Sequence, residues 1–227
     1  ILGITSLSGH GRTAIGPGIM GICPSGGSVI LHGKALHANQ PLKMIKKNIW
    51  MLPEDRRGEG LLADHSIMEN MTFTAIQTQK KFIRKTPVPF ISFPDEKKCR
   101  AYAESCIEAL DINCRSVFQK VRELSGGNQQ KVCIANALSM TPDILFVNDP
   151  TRGIDIAAKE SILGLLVNAH ATHGMTLVIS SGELEELRRI CDRIVVLYRG
   201  RLFDVLSPDR NEKDFILACS GIRPEDS

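Results

Sequence analysis

Aromatic side chains are scarce, at 5% of 227 residues with one tryptophan, too few for the stacking platforms that hold single-stranded nucleic acids. Neither sign of charge dominates. The 28 Lys and Arg set against 25 Asp and Glu leave a formal net charge of +3, which argues against a nucleic-acid surface and a polybasic membrane anchor. A long apolar run is missing too. One long stretch free of Lys, Arg, Asp and Glu, Thr13 to Gly33, is broken by Gly16, Gly18, Gly21, Gly26, Gly27, Gly33, Pro17 and Pro24 and carries Ser25, Ser28 and His32, so it does not read as a membrane span. There is no CxxC pair. The seven cysteines (Cys23, Cys99, Cys106, Cys114, Cys133, Cys191, Cys219) are scattered, with no histidine at ligand spacing around them, and read as reduced, cytosolic thiols rather than disulfide or metal partners.

What is present is core-forming material. With 43% hydrophobic and 23% charged residues the chain is not disordered, and at this length a folded domain hides roughly 70% of the surface its unfolded form exposes. One domain over residues 1–227 is expected. The chain opens on Ile1-Leu2-Gly3 without a methionine or a signal-peptide pattern, as expected for a piece of a longer polypeptide.

Short apolar runs alternate with helical stretches, the pattern of an α/β domain with a largely parallel sheet. Strands are read at Leu2–Ile4, Ile49–Leu52, Ile144–Val147, Thr176–Ile179 and Ile194–Tyr198. They are continuous apolar runs, as strands covered on both faces require. Arg84 to Pro94, with Pro87, Pro89 and Pro94, reads as a loop. A helix should follow, because Cys99, Tyr102, Ala103, Cys106, Ile107 and Leu110 share one helical face. The organisation expected is a core of about 1–65 and 124–207, a helical insert of about 66–123, and a charged, peripheral tail after Pro208.

Ser6-Leu7-Ser8-Gly9-His10-Gly11-Arg12-Thr13 follows the first strand. A phosphate cradle needs glycines that let successive N–H groups turn inward, a cation for the terminal phosphates and a hydroxyl for Mg²⁺. Gly9, Gly11 and Thr13 fit that register; Ser6 stands where a glycine leads, and Arg12 where a lysine is usual. Arginine keeps the charge, but its planar fork is no point charge. Gly16-Pro17-Gly18 weakens the helix that should follow. A plain glycine-rich turn is the alternative at this stage.

Leu124-Ser125-Gly126-Gly127-Asn128-Gln129-Gln130-Lys131 shifts the reading. It resembles the signature motif of ATP-binding cassette (ABC) ATPases, in the LSGGNQQK form of sugar importers. Ser125, Gly126 and Gly127 precede a helix carrying Val132, Ala135 and Leu138, so a hydroxyl and amides at a helix N-terminus can meet a phosphate. Further on, Ile144-Leu145-Phe146-Val147-Asn148-Asp149 and Pro150-Thr151-Arg152-Gly153-Ile154-Asp155 resemble the family's Walker B strand and D-loop, with Asn148 at the Mg²⁺ aspartate and Asp149 at the catalytic glutamate. Asparagine loses the charge of a magnesium ligand; aspartate is one methylene short, and ~1 Å of misplacement can slow a reaction ~10²-fold. Pro53-Glu54-Asp55-Arg56 resembles the Q-loop, and Ser181 stands where the switch histidine is usual.

The resemblance covers residues 1 to about 203 and is closest to the C-terminal half of fused, two-cassette sugar-importer ATPases, in which GxGRT is the usual phosphate loop. It implies a P-loop NTPase (RecA-like) core with an inserted helical subdomain, and N-terminal edge strands, with the adenine-stacking aromatic, lying upstream of Ile1. ATP and Mg²⁺ are the implied cofactors. Ser8, Gly9, His10, Gly11, Arg12 and Thr13 would bind nucleotide in cis; Ser125, Gly126, Gly127 and Gln129 would serve a partner's nucleotide in trans. Asp149, Ser181 and Glu54 take the catalytic places, Thr13 and Asn148 the metal places. The implied partners are a second cassette in the same polypeptide, a membrane permease reached through the helical insert near Phe82, Phe90 and Phe93, and indirectly a sugar-binding protein, at the cytoplasmic face of the cell membrane and without nucleic acid. A regulatory module that senses ATP without turnover, and import of an autoinducer or nucleoside, remain as alternatives.

Overall fold

The computed structural model describes residues 1–36, 39–84 and 92–223. Along the chain run β1 (Leu2–Ser6), α1 (Ile15–Met20), β2 (Val29–Leu31), β3 (Lys34–Leu36), α2 (Pro41–Lys46), β4 (Ile49–Leu52), α3 (Ile67–Gln79), β5 (Ile83–Arg84), β6 (Phe93–Pro94) and α4 (Glu96–Ala109). They are followed by α5 (Gly126–Ser139), β7 (Ile144–Asn148), α6 (Ile156–His173), β8 (Thr176–Ser180), α7 (Leu184–Ile190), β9 (Arg193–Tyr198), β10 (Arg201–Leu206) and α8 (Glu212–Cys219).

One six-stranded sheet, in the order β10-β9-β1-β8-β7-β4, organises the molecule. All five strands read from the sequence lie in it and pair in parallel, with Gly3 beside Ile179 and Ile194, and Phe146 beside Met51 and Val178. Their residues alternate between two buried faces. Leu145, Val147, Leu177, Ile179, Ile194 and Val196 face one core, and Ile4, Phe146, Val178 and Leu197 face another that Met20 of α1 and Met44 of α2 complete. Burial on both faces is why these strands read as unbroken apolar runs.

The edge is different. β10 joins antiparallel to β9 through Arg199 and Gly200, both at positive φ, the backbone a tight two-residue hairpin demands. Arg201 and Asp204 interrupt its apolar pattern, and the register shifts between Leu202 and Asp204, so no run marks the strand in the sequence. The tail is not peripheral: α8 buries Phe215 and Ala218 in the core beneath the sheet.

Between β4 and α5 the helices pack on each other. α3 starts at Ser66, whose hydroxyl accepts from the Glu69 amide while the Glu69 carboxylate takes the Ser66 N–H, a reciprocal cap legible as Ser-x-x-Glu. α4, the helix expected from periodicity, begins at Glu96, with the Asp95 side chain as its N-cap accepting from the Lys98 amide. Ile67, Met71, Ala103, Leu110, Ile112, Val117 and Val121 form a separate apolar cluster that Val132 and Ala135 of α5 close. Residues 85–91, Phe90 among them, lie outside the described residues; their flanks pair as β5 and β6 where composition read only loop.

α5 serves both cores, since Cys133, Ile134 and Ala137 turn toward the sheet. It is pressed against α6 so closely that a Cβ on Gly127 would stand 2.9 Å from the Ala158 methyl. Gly127→Ala is therefore expected to lose about 1–2 kcal/mol of stability despite alanine's better helix propensity, read as a lower urea midpoint at unchanged m-value.

Candidate functional site

The carboxyl ends of β1, β4, β7 and β8 open into a cleft, the place where parallel α/β sheets expose their loops. One lobe, of about 610 Å³, is lined by Ser8, Gly9, Gly11, Arg12 and Thr13 on one side and by Asp149, Thr151, Ser181 and Gly182 on the other. A second lobe, of about 770 Å³, runs from Thr13 over Asn148 to Glu54 and Arg56. Thr13, Glu54, Arg152 and Gly153 border both. Gly9 and Gly11 sit at φ 80° and 92°, left-handed backbone that glycine adopts without strain. A single helical turn, Arg12–Ala14, then leads into α1, in which Pro17 is tolerated within the first turn.

Arg12 crosses the cleft. Its Nη2 lies 2.9 and 3.2 Å from the two carboxylate oxygens of Asp149, 137 residues away in sequence. The side chains are 17% and 8% exposed, so the pair is poorly screened. The Gly182 amide donates to the same carboxylate at 3.1 Å, and Arg12 packs flat against Gly182, where a Cβ would meet its Nη2 at 3.0 Å. Asp149 itself takes φ 41° and gives its own N–H to the Ser180 carbonyl at 2.8 Å. The cation expected to hold phosphate and the carboxylate expected to act on water thus neutralise each other. The Arg12 Nε is buried and has no protein partner.

Asn148 is 5% exposed. Its Oδ1 accepts from the Ser180 hydroxyl at 3.0 Å and its Nδ2 points at the Met51 sulfur, 3.6 Å away. Thr13 brings a hydroxyl to the same lobe. Both donors are neutral, the carboxylate of Asp149 is held by Arg12, and that of Glu54 is paired with Arg152. Magnesium sites need carboxylate or phosphate oxygens, so this donor set does not fit a protein-held Mg²⁺. Among the described residues no group of three or more His, Cys, Asp or Glu is placed to hold a metal.

The other expected residues are placed as follows. Ser181 is 1% exposed; its hydroxyl donates to Glu186 at 3.2 Å and accepts from the Glu183 amide at 3.0 Å. The His10 ring packs edge-on to Tyr198, and its carbonyl accepts from Gly200 at 3.2 Å, so the ring turns away from the cleft to pin the β9–β10 turn. Glu54 reaches Arg152 in the segment after β7, and Arg56 donates to the Arg152 and Gly153 carbonyls at 2.9 and 3.4 Å. Thr151, Arg152, Arg56, Gly182 and Glu186 are the members of this network that motif spacing did not single out for a role. Their partners lie far along the chain, and only the fold brings them together.

The signature segment stands outside the lining of both lobes. Ser125 is exposed and caps α5, accepting from the Asn128 amide and side chain. The N–H groups of the first turn, at Gly126 and Gly127, are left without intrahelical partners and carry the positive end of the helix dipole. Gln129 behaves otherwise. It is 3% exposed, and its amide donates to Val121 and Leu124 carbonyls while its Oε1 accepts from Arg57 Nε at 3.2 Å, so it fixes the entry to α5 rather than facing outward.

Residues 1–152 match the family described as ABC transporter. The chain is 36% identical over 224 residues, 97% of its length and 43% of the other's, to the ribose import ATP-binding protein RbsA of Caldanaerobacter subterraneus subsp. tengcongensis. It is 33% identical to the nucleoside import ATP-binding protein NupA of Lactococcus lactis subsp. cremoris, covering 94% of this chain and 41% of that one. It therefore spans less than half the length of these relatives. Among solved structures, a dimeric ATP-binding cassette in a post-hydrolysis state bound to ADP and Pi superposes with a TM-score of 0.74 at 23% identity, over 93% of this chain and 86% of that one. A nucleotide-free cassette from an ABC transporter gives 0.73 at 20% identity, over 99% and 85%. These two likenesses carry the fold: an α/β cassette with a mostly parallel sheet.

Proposed function

From the premise that the chain belongs to the ABC transporter family, we propose that it is an ATP-binding cassette of an importer for sugars or nucleosides, and that it serves hydrolysis chiefly in trans. It corresponds to the C-terminal half of a fused pair, with the other cassette in the same polypeptide. In this reading nucleotide enters the cleft over Gly9, Gly11, Arg12 and Thr13. Its phosphates compete with Asp149 for Arg12, and the glycine N–H groups donate to the remaining phosphate oxygens. Ser125, Gly126 and Gly127 meet nucleotide held by the partner cassette.

The observation that carries this is the contrast between the two halves of the machinery. The residues of the cis site are engaged with one another, Arg12 with Asp149, Glu54 with Arg152 and Asn148 with Ser180. The signature serine is exposed and lies outside that cleft. A hydroxyl and free amides at the start of a 14-residue helix suit a phosphate brought by another subunit. The helical insert, residues 66–123, would engage a permease at the cytoplasmic face of the membrane, with a solute-binding protein upstream of the permease. No helix among the described residues is long and apolar enough to cross a membrane itself.

Calorimetry tests the cis site. ATP is expected to bind with an affinity that changes less than about threefold on addition of Mg²⁺, because the metal position offers neutral donors. Asn148→Asp should introduce a Mg²⁺ dependence. A strong Mg²⁺ requirement in the unaltered chain would contradict this account of the cleft.

A further inference from the structure

Glu186 is the buried carboxylate that no motif explains. It sits in the first turn of α7 with 7% of its surface exposed. Oε2 accepts from the Thr151 hydroxyl at 2.7 Å and from the Ser181 hydroxyl at 3.2 Å. Oε1 has no hydrogen-bond partner and lies 3.6 Å from Lys159 Nζ. One oxygen thus ties the segment after β7 to the segment after β8. A carboxylate suits that task, since it accepts two hydroxyl donors and itself demands no acceptor.

The chain of bonds continues into the cleft. The Glu183 N–H donates to Ser181 Oγ, Ser181 donates to Glu186, and the next amide, Gly182 N–H, donates to Asp149. Gly182 is also the surface on which the Arg12 guanidinium lies. Glu186 does not itself line the cleft, yet through the cleft residues Thr151 and Ser181 it holds the segment that carries Gly182, which borders Arg12 and Asp149. This is the end of the cleft where a terminal phosphate would have to displace one ionic contact of Arg12 and be received by another N–H donor.

We propose that Glu186 is a positioning residue that sets Ser181 and Gly182 for the terminal phosphate, and so determines how strongly the site prefers a nucleoside triphosphate over the diphosphate. This rests on the reading of the cleft as a nucleotide site.

Burial holds the Glu186 carboxyl above the ordinary carboxylate range, with Glu183 adding to the rise; the Thr151 and Ser181 hydroxyls and Lys159 oppose it. The charged groups facing it are Lys159 from α6 and Glu183 and Arg189 from its own helix and its start. An acid whose folded pKa is raised contributes stability below its unfolded pKa that is lost as pH rises through the folded value. At pH 8 Glu186→Gln therefore removes an unfavourable buried charge, and the variant should melt no lower than the parent. A residue that acted only as packing would not combine that result with altered ligand preference.

The test measures ATP and ADP dissociation constants by displacement of a fluorescent nucleotide, in the full chain and in its Glu186→Gln and Thr151→Val variants. The expected result is unchanged ADP affinity within a factor of about two and an ATP affinity weakened about tenfold, the scale of one charge-assisted hydrogen bond. The parent's ATP-over-ADP preference should fall as pH is lowered through the titration of Glu186, and the glutamine variant should show a flat profile. If Glu186→Gln does not fold, Thr151→Val, which deletes one hydroxyl at constant shape, carries the expected fall in the ATP/ADP affinity ratio at smaller size. An unchanged ATP/ADP ratio in the variants, or parallel loss of both affinities, overturns the proposal. If the parent itself binds neither nucleotide, the reading of the cleft fails, and this proposal with it.

Discussion

Arg12→Ala should weaken ATP binding about 10²-fold and at the same time destabilise the fold. Two effects combine in one side chain. For nucleotide, Arg12 lines the lobe beside Gly9 and Gly11 where phosphate binding is proposed, and hydrogen bonds to a charged group contribute about 1.5–3 kcal/mol each. For the fold, its removal leaves the Asp149 carboxylate, 8% exposed, with only the Gly182 amide and no counter-charge. Breaking one side of a buried pair costs about 3–5 kcal/mol, and the partial exposure of Arg12 places this pair at about 3 kcal/mol. The double change Arg12→Ala with Asp149→Ala separates the effects. Stability should return toward the parent because no unpaired charge remains, while nucleotide affinity stays low, a coupling read from the mutant cycle. Denaturant unfolding and calorimetry on the same four proteins check it.

Ser125→Arg should be the most damaging change to turnover in the assembled pair of cassettes, about 10²- to 10³-fold, the loss seen when a preorganised donor for developing charge is removed. It should leave nucleotide binding in this chain's own cleft intact, since Ser125 does not line that cleft. The fold should survive as well. Ser125 is exposed, and losing a helix N-cap costs about 1 kcal/mol. Gly127→Ala reaches the same helix but acts through Ala158, so it lowers stability before it lowers turnover. Turnover and melting temperature measured together distinguish the two.

Much of the architecture was legible because burial leaves a plain mark. The five parallel strands are covered on both faces and therefore read as apolar runs, and α4 shows the 3.6-residue period of a helix with one wet side. Where one face meets solvent the mark fades. β10 carries Arg201 and Asp204, and β2 and β3 pair with each other across His32 and Gly33, so none of the three stood out. The tail after Pro208 looked peripheral because charged residues lead into α8, yet Phe215 and Ala218 fill places beneath the sheet.

The site was legible as motifs and not as pairings. Motif resemblance assigned Arg12, Asp149, Glu54 and Ser181 to one site. It could not show that Arg12 takes Asp149, that Glu54 takes Arg152, or that Ser181 turns inward to Glu186. Those contacts depend on the order β9-β1-β8-β7-β4, which brings the ends of strands remote in sequence side by side. Gln129 shows the converse. Its place in the signature suggested an outward role, and its burial against Val121 and Leu124 makes it part of the support for α5.

The proposed division of labour between the cis cleft and the signature is tested most directly by steady-state ATP turnover of the chain in the proposed assembly with a second cassette and a permease, in two variants. Ser125→Arg is expected to lower turnover about 10²- to 10³-fold, and Asp149→Asn, which keeps the shape of the side chain and the Gly182 bond, is expected to retain most of it. Loss of turnover in Asp149→Asn with survival in Ser125→Arg would contradict the account.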